Sequence, residues 1–330
     1  MNSRHGATWT RPTLSETLSA FFVANMFGNA LVLCAALAWA LPTRLLLAAL
    51  AAYYAWVFSS RAHVTGWRWR LGSFHWLRYF DPVVIVEPGL AAGRQYIFAV
   101  GPHGIHGFGT GVLMDESSAL FAAAPFLRGR LVGLGAWVLF HLPLVREIFL
   151  AVGWRDASRA VAERALREGA SLYIIVGGEL EALLAAPGRD DAVVAGRRRR
   201  GFVRLALASG AALVPVYTYR NTDTFATSRA CFGARRWLSK ACQLCIPLWA
   251  GRGGTPLPYN VQLVVAVGAP VPFPRGYSPP SAAGETAAVD DAMLYAYHAA
   301  YIAALQKTFE QHKARAGYPP ERVLSIHSSD

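Results

Sequence analysis

Short apolar runs bounded by glycine or proline alternate with amphipathic stretches over most of this chain. Residues 83–86 and 96–100 read as strands, the second running straight into Gly101-Pro102. Residues 158–168 read as a helix with Val161, Ala165 and Leu166 on one side, Arg159, Glu163 and Arg167 on the other, and Gly169 as its stop. Residues 172–176 form a nearly all-apolar strand before Gly177-Gly178. A helix over 202–208 closes at Gly210, and a strand over 212–217 follows, in which Pro215 implies an edge or a bulge. Residues 261–267 give another strand, the proline- and glycine-rich stretch 268–284 a surface loop, and a long helix from about 288 to 312 ends the pattern. Apolar strands separated by amphipathic helices predict an α/β domain with a mostly parallel sheet covered on both faces. Loops at the strand carboxyl ends are then the default site.

The first sixty residues follow another pattern. No charge occurs between Glu16 and Arg44, a gap of 27 residues, and a second uncharged run covers 45–60. A helix of ~20 residues spans a bilayer core. Joined by Leu41-Pro42-Thr43-Arg44, the two runs predict a transmembrane or re-entrant helical hairpin. A signal peptide cleaved near Ala38-Trp39-Ala40 is disfavoured, because the apolar stretch is too long and a second follows at once. Basic residues before the pair (Arg4, Arg11) and after it (Arg61, Arg68, Arg70, Arg78) place both ends in the cytosol. Trp67, Trp69 and Trp76 read as interfacial aromatics. The organisation expected is a membrane hairpin over 1–60 and one catalytic-type domain over 61–330.

Composition supports an anchored protein. The hydrophobic set is 54% before the 30 glycines are counted, and charged residues are only 16%, against about 25% in ordinary soluble domains. That excludes disorder, collagen and a charged coiled coil. The net charge is +12, and all but Lys240, Lys307 and Lys313 of the 32 basic residues are arginine. Guanidinium forks suit phosphate oxygens, although a coding bias produces the same skew. Four cysteines do not frame a chain of 330 residues, and Cys242 and Cys245 lack the second pair that a zinc site needs.

Candidate chemistry gathers at strand ends. Gly101-Pro102-His103-Gly104-Ile105-His106-Gly107-Phe108-Gly109-Thr110-Gly111 follows the second strand. An imidazole there can take a proton from an attacking alcohol, and the glycines, Gly104 first, let backbone N–H groups face an oxyanion. The glycine spacing fits neither a phosphate-binding loop nor a dinucleotide fingerprint, and no serine sits in a Gly-x-Ser-x-Gly elbow. The histidines lack an acidic neighbour until Asp115, a poor metal site. Gly177-Gly178-Glu179-Leu180-Glu181 puts two carboxylates at the same sheet edge as His103 if the two strands are parallel. Arg197 to Arg200, before Gly201-Phe202-Val203-Arg204, can hold a pyrophosphate or the 3′-phosphate of coenzyme A, or face a membrane surface. Nucleic acid is the poorer reader, because the flanks are Ala, Val and Leu.

These residues resemble the diacylglycerol acyltransferase type 2 family, which includes monoacylglycerol and wax-alcohol acyltransferases. Gly101-Pro102-His103-Gly104 lies on its His-Pro-His-Gly block with glycine in place of the first histidine. Arg78-Tyr79-Phe80-Asp81, Gly153 with Ala157-Ser158-Arg159, and Gly177-Gly178 with Glu181 match further blocks. The most specific stretch is Arg199-Arg200-Gly201-Phe202-Val203-Arg204-Leu205-Ala206-Leu207, followed by Gly210 and Leu213-Val214-Pro215-Val216-Tyr217. Gly251-Arg252-Gly253 and the turn at Val267-Gly268 with Pro270 also fit. Arg220-Asn221-Thr222-Asp223 replaces a glycine-containing turn.

The resemblance implies a fold like the glycerolipid acyltransferases and an integral enzyme of the endoplasmic reticulum or lipid droplet. Its activity would move an acyl group from acyl-CoA, the co-substrate, to the free hydroxyl of diacylglycerol. Monoacylglycerol, a long-chain alcohol, a sterol or a lysophospholipid are the alternative acceptors. It makes His103 the acting histidine. The wider superfamily's aspartate would fall at Phe108, so the charge partner must come from elsewhere, and Glu181 is the candidate. Arg159, Arg199, Gly201, Phe202 and Arg204 are the expected acyl-CoA contacts. Expected partners are acyl-CoA, a neutral lipid acceptor and membrane lipids, not nucleic acid, and a homo-oligomer stays open. A histidine restored at Gly101 is expected to leave activity unchanged or modestly higher. A non-enzymatic lipid-binding scaffold is the rival class, and the retained His103, Glu181 and Arg199-Gly201-Phe202 block argue against it.

Overall fold

The computed structural model describes residues 11–60, 75–190, 192–196, 199–242, 245–280 and 289–327. Three helices open it: α1 (Leu14–Ala24), α2 (Met26–Ala40) and α3 (Thr43–Ser60). The first uncharged run, expected as one helix, is broken at Asn25. There the Asn25 amide donates to Asn29 Oδ1 at 3.1 Å, and Asn29 donates back to the Phe22 carbonyl at 2.9 Å. Side-chain amides that bond locally compete with helix continuation. Among the described residues no single helix is long and apolar enough to cross a membrane. Leu14–Ala24 and Gly28–Ala40 meet that test only together, bent by 74°. Leu31, Val32 and Trp39 on α2 and Leu45, Leu47 and Phe58 on α3 are exposed. The expected boundary at residue 61, the basic flank of Arg61, Arg68 and Arg70, and Trp67 and Trp69 lie outside the described residues.

All three helices touch the rest of the chain, and α1 and α3 are fastened by buried or polar contacts. Ala20 and Ala24 of α1 are buried in one cluster with Leu77, Phe80 and Phe108. The fully buried Arg146, on the helix Val145–Ala151, donates to Ser60 Oγ of α3 at 2.7 Å and lies 4.3 Å from the Trp56 ring, while Tyr53 bonds Glu147 at 3.1 Å.

The remainder is built on a seven-stranded sheet. Its strands are β1 (Val83–Val86), β2 (Tyr96–Gly101), β3 (Leu131–Gly135), β4 (Trp154–Asp156), β5 (Ser171–Ile175), β7 (Ala212–Tyr219) and β10 (Val264–Val267). Two short pairs complete the strands: β6 (Ala192–Val193) with β11 (Ser325–Ile326), and β8 (Ala226–Ser228) with β9 (Leu248–Ala250). The order is β1-β10-β7-β2-β5-β3-β4, parallel except where β10 meets β7. This is the mostly parallel α/β sheet the alternation predicts. Successive residues of β2 serve opposite faces: Ile97 and Ala99 enter one core with Phe202, Leu207 and Tyr301, whereas Tyr96, Phe98 and Val100 enter the other with Phe80 and Phe108. Both faces are therefore covered, as an all-apolar parallel strand requires.

Pro215 corrects one expectation. β7 is not an edge strand: it lies between β2 and β10, and Pro215 is in register with Ala99. The antiparallel ladder to β10 covers Val216 to Tyr219 only. Pro215's carbonyl faces that side, accepting from Gly268 N at 2.9 Å, so its missing N–H falls where the ladder has already stopped.

Candidate active site

Three parallel strands, β5, β2 and β7, lie side by side and release their chains at one edge. Past β2 comes His103, past β5 comes Gly177-Gly178 and helix Gly178–Leu184, and past β7 comes Arg220-Asn221. Because β2 and β5 are parallel, the carboxyl-end rule brings the two blocks to one edge, and β7 adds a third.

His103 has a defined tautomer. Its Nδ1 lies 2.8 Å from the Gly104 carbonyl, which can only accept, so Nδ1 carries the proton and Nε2 keeps its lone pair. Burial lowers the ring's pKa below its ordinary 6.5, which keeps it neutral and basic near neutrality. The turn itself needs glycine. Gly104 has φ +64°, and a Cβ there would stand 2.6 Å from Asn221 Nδ2 and 2.9 Å from the Asn221 carbonyl. Its N–H has no partner among the described residues, so it stays available to an oxyanion.

Glu181 is where the expectation is corrected. It is only 4% exposed, but its carboxylate does not touch the imidazole. One oxygen accepts the His103 backbone N–H at 2.7 Å and the other the Val194 N–H at 2.8 Å. It fixes the turn that carries the base and leaves the ring to the Gly104 carbonyl. The His103 N–H is thereby withdrawn from any oxyanion hole. Burial raises the Glu181 pKa to about 7, against the opposing pull of its two N–H donors and the Arg199 charge. Gly177 makes room for this carboxylate, since a Cβ there would collide with it.

Asn221 was noticed in the sequence only as a departure from a glycine turn. Its amide donates to the His103 carbonyl, to the His106 carbonyl at 3.3 Å and to the Pro102 carbonyl at 3.5 Å. Its oxygen accepts from Gly109 N at 3.4 Å. One side chain therefore ties the turn from residue 102 to residue 109. The signal that could have found it is its place immediately past a third buried parallel strand.

His106 is a packed residue. Phe225, Trp249 and Phe108 surround its ring at centroid distances of 5.2, 5.1 and 5.5 Å. Its Nε2 is buried without a partner among the described residues, and burial, reinforced by the neighbouring His103 imidazole, lowers its pKa to about 4. Gly101 is crowded as well. A Cβ there would lie 3.0 Å from Val193 Cγ1 and 3.7 Å from Glu181 Oε1. A histidine restored at 101 requires Val193 to give by a few tenths of an ångström, so its effect on activity turns on whether that side chain can move.

The expected acyl-CoA contacts separate. Arg199 Nη1 lies 3.6 Å from where a Gly178 Cβ would be, beside the Glu181 carboxylate whose charge it favours. Gly201 is exposed at the start of helix Gly201–Ser209. Phe202 is buried with its ring 5.0 Å from Tyr301, because its helix packs on Asp291–His312. Arg204 pairs with Asp291 at 3.0 Å, and Arg159 with Glu163 at 2.7 Å on its own helix. Of that set, Arg199 alone stands beside Glu181. Arg197 and Arg198, and the side chain of Cys242, lie outside the described residues; Cys245 Sγ bonds the Glu179 carbonyl at 3.2 Å.

Comparison with known proteins settles the lineage. Residues 32–327 match the family described as diacylglycerol acyltransferase. The chain belongs to that family. It is 32% identical over 272 residues to 2-acylglycerol O-acyltransferase 3 of Homo sapiens, covering 76% of this chain and 74% of that protein. Diacylglycerol O-acyltransferase 2 of Bos taurus is 31% identical over 77% of this chain and 71% of its own length. Acyl-CoA wax alcohol acyltransferase 2 of Homo sapiens is 28% identical over 78% and 77% respectively. Among solved structures, the 1-acyl-sn-glycerophosphate acyltransferase PlsC of Thermotoga maritima superposes over 92% of this chain and 97% of that one, with a TM-score of 0.45 and 13% identity. A diacylglycerol acyltransferase family member is an acyl-CoA-dependent O-acyltransferase, and the resemblance stated from the sequence holds.

Proposed function

We propose that this protein transfers an acyl group from acyl-CoA to the free hydroxyl of diacylglycerol, making triacylglycerol at a membrane surface. His103 Nε2 takes the hydroxyl proton as the acceptor oxygen attacks the thioester carbonyl. The Gly104 N–H faces the oxyanion of the tetrahedral intermediate. The carbon–sulfur bond then breaks, and the coenzyme A thiolate leaves and is reprotonated by the imidazolium. A thiolate leaves without strong acid assistance, and no covalent enzyme intermediate is needed, in keeping with the lack of an elbow serine. The observation that carries this reading is the His103 tautomer: Nδ1 is tied to the Gly104 carbonyl, so Nε2 is a free base.

The exposed apolar side chains of α2 and α3 support a membrane anchor. The compartment proposed for it is the endoplasmic reticulum membrane or the lipid droplet surface, with both termini cytosolic. There a two-chain acceptor is already concentrated. Microsomes from a neutral-lipid-deficient host expressing this chain, given labelled oleoyl-CoA and a panel of acceptors, test the reaction. Triacylglycerol is the expected product. Wax ester or diacylglycerol instead would reassign the acceptor to a long-chain alcohol or monoacylglycerol, the acceptor types named in the relatives above. Carbonate washing should leave the protein in the membrane fraction, and its release would remove the integral anchor.

A further inference from the structure

Beside the His103 turn lies a cavity of about 110 Å³ whose lining changes character from inside to outside. Its inner wall includes Pro102, Gly104, Glu181 and Val194, all buried. The outer lining includes Arg189, Arg229 and His327, all exposed. Between them stands Thr222, 3% exposed, whose Oγ1 is buried with no hydrogen-bond partner among the described residues. A buried hydroxyl left unpaired costs free energy, and a ligand group can recover it.

The cationic rim also has no acidic partner among the described residues, Arg229 lying 5.7 Å from the Phe232 ring centroid. Among the described residues neither Arg189 nor Arg229 forms a salt bridge, and the acids adjoining them in the chain or the turn are engaged elsewhere. Asp190 pairs with Arg322 at 3.1 Å and accepts the Arg220 N–H, while Asp223 accepts the Gly188 N–H at 2.6 Å and faces Arg220 at 3.4 Å. His327 is delivered on purpose-built backbone. Its N–H donates to the Val193 carbonyl at 2.8 Å, and its carbonyl accepts from Gly196 at 3.0 Å, which pins the end of β11 across β6 at the cavity.

We propose that this cavity receives the pantetheine end of the acyl-CoA donor, with Arg189 and Arg229 holding its phosphate oxygens at the mouth. The proposal rests on the acyl-CoA reading above. In a transfer from acyl-CoA to an uncharged hydroxyl lipid, the donor is the only reactant that carries anions, so a cationic rim selects it. Guanidinium forks match phosphate oxygens in pairs. The pantetheine arm carries amides, whose carbonyl can accept from Thr222 Oγ1 and whose N–H can donate to it. Pro102 and Gly104, the chain neighbours of His103, line the inner wall, so a thioester that reaches it arrives at the His103 turn. The arginines chosen this way differ from those that the sequence picked out, since Arg199 lines no part of the cavity.

The test compares two thioesters in full-length protein on phosphatidylcholine vesicles, with acceptor saturating. Oleoyl-CoA has the phosphates, and oleoyl-pantetheine has only the arm. The double variant Arg189→Gln/Arg229→Gln should raise KM for oleoyl-CoA about ten- to hundredfold, and its preference for oleoyl-CoA over oleoyl-pantetheine should fall by the same factor. Inhibition by adenosine 3′,5′-bisphosphate should weaken in parallel. Thr222→Val should raise KM for both thioesters and leave their ratio alone. An unchanged preference in the double variant would overturn the proposal. So would an effect that appears only on phosphatidylserine vesicles, which would assign the rim to lipid headgroups. Failure of the wild-type protein to transfer oleate to any acceptor is a different result, and it removes the acyl-CoA reading itself.

Discussion

The turn after β2 and the segment that opens helix Gly201–Ser209 are the two stretches whose motifs stand out in the sequence, and the structure treats them in opposite ways. In the turn, separate parts of the chain converge on a few atoms: Glu181 holds the His103 N–H, Asn221 holds three carbonyls, and Gly104 fits against Asn221. In the arginine segment, neighbours in sequence diverge. Phe202 turns into the core, Arg204 to Asp291, and Arg200 onto the Tyr295 ring at 4.0 Å. A helix start spreads consecutive side chains around its axis, whereas the ends of parallel strands gather distant residues at one edge. Density of a motif is therefore weaker evidence of a site than its position at a strand end.

The hardest blow to that contrast would come at His103. Removing a general base typically costs ~10²–10⁴-fold in rate. His103→Ala should reduce acyl transfer by at least about a hundredfold at unchanged abundance and membrane retention, measured with labelled oleoyl-CoA. His106→Ala, from a packed ring with a pKa near 4, should cost under about tenfold and act mainly through stability. Near-full activity in purified His103→Ala protein would dissolve the distinction between the two stretches.

Glu181 sharpens the comparison through pH. Its folded pKa is raised to about 7 from 4.5, so the folded protein holds that proton more tightly than the unfolded chain. The stabilisation linked to it is complete below pH ~4.5 and is lost as pH rises through about 7. Activity runs the other way, because the ionised carboxylate is the stronger acceptor for the His103 N–H. The acid limb of kcat/KM should thus begin near 7, with His103 protonation adding a second loss below 6.5. Glu181→Gln should erase the first limb and lower the rate about ten- to hundredfold, since its NH2 must face one of two backbone donors and leaves it unpaired. A wild-type profile in Glu181→Gln would mean that the carboxylate does not position the base.

What the sequence conveyed follows from the range of the forces involved. Strands β1, β2, β5 and β7 and the helices Arg159–Arg167 and Gly201–Ser209 were legible because apolar period and glycine stops are local. β3 and β4 carry no such signal: Leu131–Gly135 has two glycines in five residues, and Trp154–Asp156 is three residues long. That His103 and Gly177-Gly178 share an edge was inferable from parallel pairing. The bond that joins them was not, since whether Glu181 meets a ring or an amide depends on the φ of Gly104 and the room left by Gly177. Asn221 has only its place past β7 to mark it, because its partners lie more than a hundred residues away along the chain.

The smallest effect is the one expected from the arginine segment, and it tests the comparison from its other side. Arg204 and Asp291 face solvent, with side chains 42% and 71% exposed, and Arg159 is 77% exposed in its pair with Glu163. Exposed pairs typically contribute ~0.2–1 kcal/mol and are screened by salt. If these arginines only make such pairs, Arg204→Ala and Arg159→Ala should each leave KM for oleoyl-CoA within about twofold, with a small stability loss that disappears in high salt. The same assay should register the Arg189→Gln/Arg229→Gln change clearly. A large rise in KM from Arg204→Ala, insensitive to removing Asp291, would mean that the segment contacts the donor after all. The divergence of its side chains would then belong to the free enzyme alone, closing into a site when acyl-CoA arrives.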